Sequence, residues 1–247
     1  MQELLVSKTF QDKYDDYYGD EISEWRELGA MAKLKNIVTV CQDYAHAKVI
    51  EIGCGDGVIL KKMAEIGFGE KLYGLEISSS ALKVLQREKI ASLEESQLFN
   101  GYDIPYNDQE FDLAILSHVI EHVEYPRKLL KEAARVSKYL FIEVPLENTW
   151  RLPKDFIPDE MGHINFYSEK TIRRLVQSCD LKVLNQIVTN RSQITYEYQS
   201  GKKGTLKYLI KEVALQTMPA IAKQMFTYHS SLLCHKVPPN SQIGAHK

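Results

Sequence analysis

VIEIGCGDG, residues 49–57, decides how the rest of this sequence is read. The apolar and β-branched run Val49 to Ile52 breaks into Gly53, Gly55 and Gly57, and the next residues, VILKKM, take up helical spacing. Strand, glycine turn and helix make the opening unit of an open α/β sheet. Such a turn sets backbone N–H groups and a helix N-terminus at the carboxyl edge of the sheet, where ligands of these folds bind. The three glycines are therefore candidate cofactor residues. Their spacing is G-x-G-x-G, whereas the dinucleotide fingerprint needs its third glycine one position later, where Val58 stands. Glu76 ends the next strand at about the ~20-residue distance at which an acid meets a ribose hydroxyl, which suits a dinucleotide or another adenosine cofactor.

Working outward, short apolar runs alternate with longer helical stretches from about residue 48 to 144, the pattern of βαβ units, within an expected core of residues 46–190. AKVIEIG, KLYGLEIS, SQLFNGY, FDLAILS and KYLFIEVP read as strands one to five. VILKKMAEIG and SALKVLQREKI read as helices, the second capped by Ser78 or Ser79, and YPRKLLKEAARVS as a helix with Pro126 in its first turn. SEKTIRRLVQSC follows as a helix with Ser168 at its N-cap, then LKVLNQIVT and FTYHSSLLCHKV as the last two strands. The expected fold class is α/β: a doubly wound, mostly parallel seven-stranded sheet. Residues 1–45 are expected to form a helical cap in which Trp25, Leu28, Met31, Leu34 and Val38 recur at helical spacing. Residues 191–225 form an inserted helical lid centred on GTLKYLIKEVALQTM and closed by Pro219. The last strand occupies 226–237, and 238–247 reads as a disordered tail.

The 247 residues carry a net charge of -2, which argues against a polyanion-binding surface, so no nucleic-acid partner is expected. The four cysteines show neither a paired nor a metal-ligand spacing, and no long apolar run or basic leader is present. A cytoplasmic, reduced protein without a transmembrane segment, monomeric or homodimeric, is expected.

VIEIGCGDG, then GLEIS, then YDIPYNDQEFDLAILSHVIEHV, together resemble the class I S-adenosylmethionine-dependent methyltransferases, in the style of their small-molecule members, over residues 45–185. The resemblance implies the cofactor S-adenosylmethionine (SAM) and the product S-adenosylhomocysteine. It assigns Glu51, Gly53, Gly55 and Gly57 to the first motif and Glu76, with Ile77 beside it, to the ribose. Asn100 or Asp103 falls at the adenine contact with Ile104 as an apolar lid, and Ser117 and His118 lie at the end of strand four. In the family the segment before the sheet caps the cofactor, which places Tyr14, Tyr17, Tyr18 and Trp25 there, with Arg26 available to the methionine carboxylate.

Methyl transfer is an in-line displacement at a sulfonium carbon, so positioning supplies much of the rate and the rest depends on the acceptor. A hydroxyl must lose or weaken its hold on a proton, and His118, His122 and His163 are the candidate catalytic residues. The H-x-x-E-H pattern His118 to His122 is also similar to the metal-binding E-x-x-E-H of small-RNA and ubiquinone-pathway methyltransferases. On that reading His118, Glu121, His122 and His163 hold a divalent ion. The third reading is structural, with Glu121 and His122 starting a helix and fixing the loop. Trp150, Arg151, His163 and Tyr167 are expected on the acceptor wall. In the inserted helix Leu206, Ile210 and Val213 are expected to pack, with Lys202, Lys203, Lys207 and Lys211 solvated, or facing an anionic acceptor or membrane. The expected function is methyl transfer to a small-molecule acceptor, at a hydroxyl oxygen. The alternatives are N-methylation, RNA or protein methylation, a non-catalytic SAM-binding regulator and an NAD-dependent oxidoreductase.

Overall fold

The computed structural model describes residues 18, 23–157 and 162–237. Tyr14, Tyr17 and the expected tail 238–247 lie outside the described residues. Seven strands, β1 (Lys48–Ile52), β2 (Lys71–Glu76), β3 (Leu93–Leu98), β4 (Phe111–Ser117), β5 (Ser137–Pro145), β6 (Leu181–Thr189) and β7 (His229–Lys236), form one sheet. Their order is β3-β2-β1-β4-β5-β7-β6. β1 to β5 pair in parallel, and β7 enters antiparallel between β5 and β6. The strand order reverses between β1 and β4, and the loops leaving those two strands open a crevice at the carboxyl edge.

The described helices are α1 (Glu24–Cys41), α2 (Val58–Glu65), α3 (Ser79–Arg87), α4 (Pro126–Val136), α5 (Glu169–Gln177), α6 (Gln193–Ser200), α7 (Lys202–Thr217) and α8 (Pro219–Met225). They cover both faces of the sheet. Leu129, Leu130 and Ala133 of α4 and Ile172 and Val176 of α5 pack on one face, and Ile37 and Val40 of α1, Leu60 and Met63 of α2 and Leu85 of α3 on the other. A strand covered twice must be apolar on both sides, which is why β4 reads FDLAILS without alternation. Ser78 caps α3 and Ser168 caps α5, each accepting a backbone N–H three residues on.

Three expectations change. β3 begins at Leu93, earlier than expected, because an edge strand with half-exposed faces carries the polar sequence LEESQL. In α1 the buried face holds Ala30, Asn36, Ile37, Val40 and Cys41; Met31 points to solvent and Leu34 and Val38 are only partly buried. The helix is rotated to bring Asn36 Nδ2 to 2.7 Å from Glu143 Oε2 on β5. The insertion holds three helices, and Pro219 opens α8 at its first turn. On α7 Lys202, Lys203 and Lys207 are exposed as expected, but the expected packing stripe and Lys211 exchange places. Leu206, Ile210 and Val213 are exposed, while Lys211 turns inward and its Nζ donates to Tyr196 Oη at 2.5 Å and Thr227 O at 2.6 Å. Gly204 fixes that facing, since a Cβ there would stand 2.0 Å from the Tyr196 carbonyl oxygen. The four cysteines are buried free thiols. Among the described residues no helix is long and apolar enough to cross a membrane.

Candidate active site

The β1 turn is built by backbone geometry that ordinary side chains resist. Gly53 and Gly55 take φ of 77° and 55°. A Cβ on Gly53 would stand 2.7 Å from Val119 Cγ2, and one on Gly55 would stand 2.5 Å from Tyr18 Oη. The turn is thus pressed between the loop after β4 and Tyr18. Arg26 forms an ion pair with the buried Asp56 in this turn, and its guanidinium lies 5.2 Å from the Tyr18 ring centroid. The expected cap residues Tyr18 and Arg26 therefore meet the turn. Trp25 instead packs in a tilted ring contact with Tyr198 of α6, 5.9 Å between centroids.

Glu76 ends β2 almost fully buried. Its Oε2 accepts the Gly55 N–H at 2.7 Å, and its Oε1 accepts those of Ile77 and Ser78 at 2.7 and 2.9 Å. Burial pushes its pKa up, and the three donors oppose that shift. Oε1 is filled by its two donors, and Oε2 keeps lone-pair capacity for one further donor such as a ribose hydroxyl. Glu51, at the end of β1, is more deeply enclosed; burial raises its pKa to about 8.

Tyr18, Gly53, Glu76, Ile77, His118 and His122 share the wall of one cleft at the carboxyl edge of the sheet. Phe99 and Gly101 line it just after β3, and Val119, Val123 and Leu129 complete its apolar side. Sequence reasoning missed these five. The position of Phe99 and Gly101 at the end of a strand was the available signal. Asn100 and Asp103 bond to each other instead: Asn100 Oδ1 accepts the N–H groups of Tyr102 and Asp103, and its Nδ2 donates to Asp103 Oδ2 at 2.7 Å. With the buried Ile104 they shape the turn behind the wall.

The loop after β4 carries the titratable groups. Ser117 is buried at the strand end, and His118 follows with φ of 59°, a left-handed conformation uncommon outside glycine. Residues 120–122 turn without starting a helix, which begins only at Pro126. The segment after residue 162 ties the loop down. Ile164 and Asn165 donate backbone N–H groups to Glu121 O, Asn165 Nδ2 reaches Ile120 O and Val123 O, and Tyr167 Oη reaches Ile120 O. His163 is buried, its Nδ1 2.7 Å from Glu147 Oε2. Of the expected acceptor wall, His163 and Tyr167 thus support the β4 loop from behind. Trp150 and Arg151 face outward, Arg151 over the Phe226 ring at 5.5 Å.

His118 lies between two carboxylates: its Nδ1 is 3.1 Å from Glu121 Oε1 and its Nε2 is 3.3 Å from Glu143 Oε1. Burial would lower its pKa, but Glu121 and Glu143 outweigh that and raise it. Burial lowers the pKa of His122. For Glu143 burial acts upward, yet the neighbouring His118 and His229 and the Ser231 hydroxyl bring it down to about 2. The four residues that the motif suggested as metal ligands divide in two. Glu121, His122 and His163 bring donor atoms within 4.8 Å of one another, and His118 does so with Glu143 and His229. Neither Glu121 oxygen has a hydrogen-bond partner among the described residues, so the first group fits a divalent ion, which would supply Lewis-acid chemistry when bound.

The profile of a methyltransferase domain family matches residues 17–186. A mitochondrial ubiquinone biosynthesis O-methyltransferase of Candida albicans is 32% identical over 92 residues, 35% of this chain and 28% of its own length. Ajmaline N-methyltransferase of Rauvolfia serpentina is 27% identical over 134 residues, 53% of this chain and 44% of its own. The matches thus span between about a quarter and a half of these curated relatives. Phosphoethanolamine N-methyltransferase 2 of Haemonchus contortus, solved with phosphomonomethylethanolamine and S-adenosylhomocysteine, superposes with a TM-score of 0.63. That superposition covers 95% of this chain and 61% of the other, at 16% identity, and so speaks for the fold. With its glycine turn, strand-two acid and sheet order, the chain belongs to the methyltransferase domain family and folds as its class I, SAM-dependent members do.

Proposed function

We propose that this chain transfers the methyl group of SAM to a hydroxyl oxygen of a small molecule and releases S-adenosylhomocysteine. The observation that carries the reading is the position of His118 and His122 on the same cleft wall as Gly53 and Glu76. The glycine turn takes the aminocarboxypropyl arm and ribose, and Glu76 accepts from a ribose hydroxyl. The sulfonium is already an activated leaving group, so an acceptor held in line needs only a route for its proton. An imidazole at the cleft offers one. The apolar side made by Phe99, Val119, Val123 and Leu129 suits a largely hydrocarbon or aromatic ligand surface. O- and N-methyltransferases that act on small molecules both occur among the relatives, in keeping with an acceptor of that class.

The test is incubation with SAM carrying a labelled methyl group and matched panels of phenols, catechols, carboxylic acids and amines, read by mass spectrometry. Label on oxygen supports the reading. Label only on nitrogen would sink the hydroxyl assignment, and SAM binding without transfer to any acceptor would favour a regulatory protein.

A further inference from the structure

We infer that His118, Glu143 and His229 form a binding site for a first-row divalent cation of the zinc class, at the carboxyl edge where β4, β5 and β7 meet. No catalytic or cofactor motif in the sequence contains Glu143 or His229. β7 is inserted antiparallel beside β5, and that pairing carries the first residue of β7, His229, back to the edge where β4 and β5 end.

Glu143 is fully buried. Its Oε2 is fixed from two sides, by Asn36 Nδ2 at 2.7 Å and Ser231 Oγ at 2.6 Å. Its Oε1 faces two imidazole nitrogens, His118 Nε2 at 3.3 Å and His229 Nδ1 at 3.9 Å. Neither Glu143 Oε1 nor His118 Nε2 has a hydrogen-bond partner among the described residues despite their closeness. Donor atoms that lie near one another without hydrogen-bond alignment are what ligands around a shared point look like. The three donor atoms all fall within 4.8 Å of one another.

Charge argues the same way. Glu121 and Glu143 are both fully buried, and three of their four oxygens have no hydrogen-bond partner among the described residues. His118 lies between the two carboxylates and offsets at most one of their charges, and a divalent ion compensates the remainder directly. The surroundings resemble a metal's outer shell. Behind His118, Nδ1 lies 3.1 Å from Glu121 Oε1, an ion-pair contact that places a second carboxylate beside the imidazole. Asn36 and Ser231 orient the Glu143 carboxylate. Two imidazoles and one carboxylate favour zinc-class ions over magnesium or calcium, which prefer all-oxygen sites. The left-handed backbone of His118 is a strained conformation of the kind kept where a side chain must be aimed. On the methyl-transfer reading, an ion there supplies Lewis acidity beside the cleft; that role rests on the reading, whereas the site itself does not.

The full chain is stripped with a chelator, dialysed and titrated with Co²⁺, following visible absorption and calorimetric heat with no SAM or acceptor present. Elemental analysis of the untreated protein accompanies the titration. His229→Gln and Glu143→Gln should each lose one ion, or weaken it by at least about tenfold, while His163→Gln keeps that ion. Circular dichroism checks folding, and His229→Gln carries the test alone if Glu143→Gln does not fold. A wild-type chain that takes up no ion overturns the proposal. So does unchanged stoichiometry and affinity in His229→Gln, which would put any ion at Glu121, His122 and His163. Neither result bears on whether methyl transfer goes to oxygen, which the labelled-acceptor assay reads independently.

Discussion

Replacing Glu76 tests the cofactor assignment most directly, because the structure separates what this carboxylate does for the fold from what it offers a ligand. Three backbone N–H groups converge on it, from Gly55, Ile77 and Ser78. Glu76→Ala leaves them without an acceptor, and each orphaned buried donor costs roughly 1–3 kcal/mol, so the variant should be markedly less stable without any ligand. The binding loss comes on top. A ribose hydroxyl donating to the open site of the ionised carboxylate gains about 1.5–3 kcal/mol before water replaces part of the interaction. The expected loss of SAM affinity is about 1.5–3 kcal/mol, roughly 10- to 150-fold in Kd. Glu76→Gln keeps the volume and one oxygen but turns an NH2 group toward one set of donors, so it should lie between wild type and alanine. Calorimetric titration with SAM and with S-adenosylhomocysteine reads the affinity, and urea unfolding without ligand reads the stability. If a folded Glu76→Gln or Glu76→Ala chain binds SAM within about threefold of wild type, the ribose assignment is wrong.

Gly55→Ala should weaken SAM by at least about tenfold and cost on the order of 1 kcal/mol of stability, since the new Cβ meets Tyr18 Oη in a positive-φ position; calorimetry beside thermal melting checks both. Asn165→Ala removes two hydrogen bonds that hold the 120–123 turn, and should cost about 1–3 kcal/mol and lower turnover more than SAM affinity. Lys211 gives a pH signature. Burial lowers its pKa to about 8, against roughly 10.4 in the unfolded chain. Between those values the unfolded chain binds more protons, so stability rises with pH across the window, and below it a constant cost on the order of 3 kcal/mol remains. Lys211→Met should abolish that slope and equal or exceed wild-type stability at neutral pH, read by urea unfolding at pH 7 and pH 10; a slope that persists in the variant removes Lys211 as its source.

The sequence alone determined what is local. A β-branched run broken by glycines at left-handed positions has few structures open to it, and Val49 to Gly57 with Glu76 fix strand, turn, helix and acid within one βαβ unit. The caps Ser78 and Ser168 act three residues away and were legible for the same reason. The first and last residues of β3 were not, because an edge strand owes its sequence to solvent on both faces. α7 was misread because periodicity marks a face without saying which way it points. Only docking against α6 turned Lys211 inward and Leu206, Ile210 and Val213 outward. The site shows the same division. Motif spacing found His118, Glu121 and His122, all within five residues. Glu143 meets His118 through the pairing of β4 with β5, and His229, 86 residues beyond Glu143, joins them only because β7 inserts beside β5. Hydrogen-bond partners such as Asn36 on a carboxylate of β5, or Asn165 beneath the β4 loop, arise from packing that local sequence does not encode. The chain's own pattern determined the cofactor edge of the sheet, and tertiary structure decided which buried charges face one another there.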